Sequence, residues 1–145
     1  MRAKVLALLA GLALVRADAA AAAESAEYLF RLHCSGCHGL DGAGSKIGRI
    51  PPFPGIVGRF AANNEGRLYL VHVPGVANAA LPDAQTASVL NYVLHKWNEG
   101  SAPADQQDFT VEEVHRLRDI HVDDVASLRT SIELTLARLG ISLAY

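Results

Sequence analysis

Methionine is nearly missing from this chain: of 145 residues, only Met1 is one, and cysteine occurs just twice. Two thiols cannot build the several bridges that hold small secreted disulfide scaffolds together. A basic excess is also lacking. The formal net charge is -2, and no run of lysine and arginine offers the footprint that a nucleic acid requires, so that partner class is excluded. Long apolar runs are confined to the start, where Arg2 and Lys4 precede Val5 to Val15. That run is about half of the ~20 residues a membrane-spanning helix needs.

What stands at the start is the pattern of a secretory signal peptide: a basic beginning, a short apolar core and an alanine-rich stretch with several A-x-A cleavage sites. We read residues 1–23 as this segment, which implies export to the periplasm and no stable membrane span in the remainder. The 122 residues from Glu24 to Tyr145 suffice for one domain with a core. Without Arg2, Lys4, Arg16 and Asp18 the formal charge falls to -4. Residues 24–100 hold six acids and six bases, and residues 101–145 hold eight acids and four bases. The division expected is therefore a domain at 24–100 followed by an acidic helical extension at 101–145.

Apolar spacing points to helices throughout, and the fold class expected is all-α. A first helix runs from Ser25 to about His33, with Tyr28, Leu29 and Leu32 at helical spacing. Seven glycines between 36 and 58, with Pro51, Pro52 and Pro54, then predict a loop that wraps something. Asn63 or Asn64 caps a second helix, stopped by Pro74 and Gly75. A long helix from Asp83 carries Thr86, Val89, Leu90, Val93, Leu94 and Trp97 on one stripe and ends at Gly100. In the extension, Thr110 and Glu113 form a capping box. Asp124 starts a final helix with Val125, Leu128, Ile132, Leu136 and Leu139 on one face.

Both cysteines lie in "HCSGCHG", residues 33–39. A zinc site needs four ligands, and His33 and His38 sit too close to the thiols to complete one. A redox-active dithiol expects a preceding strand and βαβ context, which the sequence does not offer. C-x-x-C-H is the attachment signature of c-type haem. Cysteines one helical turn apart can each add to a vinyl group on one porphyrin edge, and the next residue aims its imidazole at the iron. Cys34 and Cys37 are thus the candidate thioethers and His38 the candidate iron ligand.

With that motif in place, residues 25–98 resemble class I cytochromes c. The likeness rests on Ala26 and Phe30 ahead of "CSGCH", the "PPFPG" loop at 51–55, the "EGRLYLVHVPG" helix and the closing "LPDAQTASVLNYVL" helix. It implies one covalent haem c with its iron, a crossing of Ala26 and Phe30 with Tyr92, a Pro51 carbonyl that accepts from the His38 Nδ1 proton, and Phe53 against the haem. A carbonyl acceptor there fixes the imidazole tautomer and raises its basicity toward a metal. The extension, through "DFTVEEVHRLR" and "DVASLR", is similar to those of some periplasmic cytochromes that accept electrons from dehydrogenases.

One element of the family pattern is absent. The loop before the last helix, "VPGVANAALPD", lacks the methionine that usually supplies the second axial ligand. His72 is the nearest candidate in its place, ahead of Asn78 or water. The function this predicts is non-enzymatic: a periplasmic carrier that moves one electron between redox protein partners, from a dehydrogenase toward a respiratory acceptor or oxidase. Two rivals follow from the missing methionine. One is a haem-based gas binder or sensor with an open distal site, and the other a peroxidase-like enzyme built on Arg67 and His72.

Overall fold

The computed structural model describes residues 24–141 and 143, so the expected signal peptide at 1–23 lies outside the described residues. Those residues form helices and no strand; the nearest approach to a sheet is one antiparallel bridge between Ser45 and Ile50. The all-α expectation is met.

Helix α1 (Ala26–His33) begins where the Ser25 hydroxyl accepts from the Tyr28 amide at 3.2 Å. That bond satisfies one of the donors every helix start leaves unpaired. The helix buries Leu29 and Phe30 against α6 (Asp83–Trp97). The Phe30 ring lies 5.6 Å from Tyr92 and 5.1 Å from Trp97, so the anticipated contact of Phe30 with Tyr92 across α1 and α6 is present. Tyr28 and Leu32, expected on the buried face, are exposed. The one long helix that α1 packs against is α6, so a single stripe is covered.

The glycine-rich segment is not uniformly irregular. A one-turn helix, α2 (Ser35–His38), carries the second cysteine, and α3 (Val57–Ala61) closes the segment. The Asn63 side chain then accepts from the Gly66 amide at 2.8 Å and starts α4 (Asn64–His72). Gly66 has no room for a side chain, because a Cβ there would collide with the Phe60 carbonyl, and this lets α4 pack closely on α3. As expected, α4 stops just before Pro74, with Val73 as its extended capping residue, and Pro74 then opens another single turn, α5 (Pro74–Ala77). Proline suits a first helical position, where its missing amide proton is not needed.

The extension is bolted on by polar contacts that pattern reading does not reveal. Thr110 caps α7 (Val111–Arg118) by accepting from the Glu113 amide at 3.1 Å. The Glu113 carboxylate does not complete the capping box. It instead accepts from Arg67 Nε and Nη2, each at 2.6 Å. Arg67, only 8% exposed, also donates to the Gln107 and Asp108 carbonyls and lies 3.8 Å over the Phe109 ring. The Asn91 amide brackets the Phe109 backbone at 2.7 and 2.9 Å. Phe109 and Val114 thereby join the apolar cluster that contains Leu29, Phe30 and Leu94.

Asp124 caps α8 (Val125–Arg138), which buries Ile132 and Leu136 with Ile56, Phe60 and Tyr69. Val125 and Leu128 are half-buried at its edge. Leu139, expected on the same face, is exposed because the helix has ended before it and the chain turns at Gly140, φ 76°.

The Arg67 to Glu113 pair sets a prediction. Glu113→Ala leaves a buried guanidinium uncompensated and should cost about 3 kcal/mol by denaturant melting. Arg67 holds the Glu113 carboxyl below the usual glutamate range. A depressed folded-state pKa stabilises fully above the unfolded value and fades as pH falls through the folded one. Wild type should therefore lose this contribution below about pH 4, whereas Glu113→Ala should show a flatter acid limb.

Candidate functional site

The last turn of α1 and the turn of α2 share Cys34 as a hinge, which leads the Cys34, Cys37 and His38 side chains to one cavity. The cysteines are unbridged. Burial pushes the Cys34 thiol above its ordinary range, with the neighbouring Cys37 adding a smaller effect. That is opposite to the lowered pKa of a reactive dithiol. Among the described residues no three His, Cys, Asp or Glu side chains cluster as a bare-metal site. Both alternatives to haem for a cysteine pair are thus disfavoured by the geometry.

His38 is held on two sides. Its Nδ1 proton is donated to the Pro51 carbonyl at 3.2 Å, and its ring stacks on Phe53 at 4.0 Å and 17°. Burial lowers its pKa, with the Pro51 bond opposing, so the neutral, ligating form is favoured. Nε2 is left with no protein hydrogen bond among the described residues. Phe53 is itself fixed by Phe30 at 6.2 Å and Trp97 at 5.3 Å. The α1 and α6 crossing therefore positions the imidazole through one intermediate ring.

The cavity measures about 430 Å³ and is lined mostly by hydrocarbon from α3, α4, α5 and α6, within the range of cofactor pockets. Haem fits this donor set: a flat apolar body, two thiols at its edge and one pre-oriented imidazole. Cys34, Cys37, His38, Pro51 and Phe53 are brought together as the sequence suggested.

His72, the candidate distal ligand, is not among them. Its Nε2 donates to the Leu117 carbonyl at 2.8 Å, and it does not line the cavity. The docked extension takes this nitrogen. Arg67 is likewise engaged with the extension, and the pair that a peroxidase-like reading needs is turned away from the cavity. His95 pairs with Asp108 at 2.6 Å, His115 with Asp83 at 3.1 Å and His121 with Asp123 at 2.9 Å, all three largely exposed. Asn78 is exposed and does not line the cavity either.

Two polar residues on the cavity wall escaped sequence reasoning: Tyr69 of α4 and Arg129 of α8. Arg129 Nη1 donates to the Tyr69 hydroxyl at 2.7 Å across 60 residues of chain. Helical spacing marks Tyr69 as one turn from Val73, but nothing local marks Arg129.

Phe53→Ala should remove the stacking surface of His38 together with its Phe30 and Trp97 contacts. The expected loss is about 3–5 kcal/mol by denaturant unfolding, with Phe53→Leu costing clearly less.

No family model matches the chain. Among known proteins, it is 33% identical to a cytochrome c-552 of Thermus thermophilus over 129 residues, covering 77% of this chain and 81% of that protein. It is also 33% identical to a second Thermus thermophilus cytochrome c-552 over 103 residues, covering 59% and 78%. Likeness over four-fifths of a relative, on a helical fold whose C-x-x-C-H segment opens on an apolar cavity, places this chain among the class I c-type cytochromes, electron carriers with covalently bound haem c.

Proposed function

We propose that this chain is a periplasmic mono-haem electron carrier in which Cys34 and Cys37 form the thioethers and His38 binds iron. The observation that carries this reading is the His38 imidazole, clamped between the Pro51 carbonyl and Phe53 beside both thiols at an apolar cavity. Bound haem supplies a one-electron ferric and ferrous couple. The residues do the rest. Pro51 holds the His38 tautomer with Nε2 unprotonated toward the cavity. Val57, Leu90, Val93 and Leu94 keep water from the cavity interior. This lowers the reorganisation that accompanies a change of charge.

The reading takes residues 1–23 as the export signal, 24–100 as the haem domain and 101–145 as the acidic extension. It assigns the chain no substrate turnover, in keeping with Arg67 and His72 being engaged by the extension. The extension has two roles here. Phe109, Val114 and Ile132 complete the core, and its excess of eight acids over four bases steers a basic redox partner, a dehydrogenase as donor or an oxidase as acceptor. Deleting residues 105–145 would strip core side chains, so charge reversal on exposed positions is the cleaner probe of partner choice.

Attachment, redox behaviour and partner choice each test the reading. Full-length protein from a host competent in cytochrome maturation should keep its haem through denaturing electrophoresis, and Cys34→Ala with Cys37→Ala should abolish it. Voltammetry of the purified protein should give one reversible one-electron wave. Replacing exposed Glu112, Asp119 and Asp123 by lysine should slow reduction by a basic donor about tenfold at low salt and little at high salt.

A further inference from the structure

The cavity holds a polar pair that the carrier reading does not use. Outside the Cys34–His38 segment, the polar side chains on its wall are His33, Tyr69 and Arg129. His33 is exposed and directly precedes Cys34, on the attachment side. The segment from Val73 to Asp83, which the family pattern leaves to the second axial ligand, turns Val73 and Val76 to the cavity. The α6 wall adds Val89, Leu90, Val93 and Leu94. None of these six can bind a metal.

Tyr69 stands on α4 four residues before the capping residue Val73, and it is 8% exposed. Its hydroxyl oxygen accepts from Arg129 Nη1 at 2.7 Å. A phenol has one proton to give as well as lone pairs to receive, and among the described residues this one donates to no protein acceptor. Arg129 also donates from Nε to Glu133 at 2.7 Å, and its guanidinium lies over the Phe60 and Tyr69 rings at 5.2 and 5.6 Å. These contacts fix the guanidinium behind the phenol. A buried hydroxyl with a proton to give, polarised by a guanidinium that is itself ion-paired with Glu133, can donate to a small anion in an otherwise apolar cavity.

We propose that the second axial position of the ferric protein takes a small exogenous anion, of the class of hydroxide or azide, received by the Tyr69 hydroxyl with Arg129 behind it. This rests on the haem reading above. It makes α8 part of the distal pocket and the carrier responsive to such ligands. Because the anion favours the ferric state, its binding lowers the tendency to accept an electron, by thermodynamic linkage.

The test is an azide titration of the oxidised, full-length holoprotein followed in the Soret band, with Tyr69→Phe and Arg129→Gln alongside. Haem content after denaturation and far-ultraviolet circular dichroism show that each variant is loaded and folded. Wild type should give a saturable spectral shift, and each variant should bind azide about tenfold more weakly. A wild-type spectrum indifferent to azide would mean that a side chain holds the position, and would overturn the proposal. Unchanged affinity in Tyr69→Phe would also overturn it, since the pair then faces another group such as the haem carboxylates. So would a ferric spectrum altered by Tyr69→Phe before any azide is added in a way that marks the phenol itself as the ligand. Each of these leaves covalent haem in place, whereas failure of the carrier reading would show as no haem retained.

Discussion

A cavity of about 430 Å³ at the centre of the chain is the constraint on which the fold depends. Hydrocarbon from four helices faces it, and without a cofactor that hydrocarbon would be left to water, at a cost of about 25 cal/mol per Å². The protein is thus built as a shell whose core is completed by its cofactor. Cavity, thiols and clamped imidazole are aspects of one arrangement: the same packing of α1 on α6 that fixes Phe53 also fixes His38.

Function follows from where polarity has been kept and where removed. Among the described residues the His38 ring keeps a single hydrogen bond, to Pro51, and burial favours its neutral form. The opposite choice is made at the extension, where Arg67 gathers a carboxylate and two carbonyls and His72 gathers a third. Those bonds remove from the cavity two groups that could otherwise have given it acid-base or ligand chemistry. Tyr69 and Arg129 remain on its wall, and Arg129 is contributed by residues 101–145, which charge and composition set apart from the rest of the chain.

Much of this was legible in the chain itself, for local reasons. The C-x-x-C-H spacing is a five-residue signal, and the caps at Asn63 and Asp124 act within three residues of themselves. The long stripe of α6 declares its buried face through spacing alone. What stayed illegible depends on distant chain segments. The partner of Glu113 lies 46 residues away and that of His72 lies 45, so Thr110 and Glu113 read as a full capping box and His72 as an available ligand. Pro74 was legible as the end of α4, but not as a beginning, because a residue that cannot continue one helix is also suited to start the next.

The central claim is that cofactor and fold are inseparable, and calorimetry with circular dichroism on the same chain made with and without haem tests it most directly. The account predicts a cooperative thermal transition only for the haem-loaded protein, with the haem-free chain lacking fixed aromatic packing in the near ultraviolet. A haem-free chain that melts cooperatively, with native near-ultraviolet signals from Trp97 and Tyr92, would contradict it.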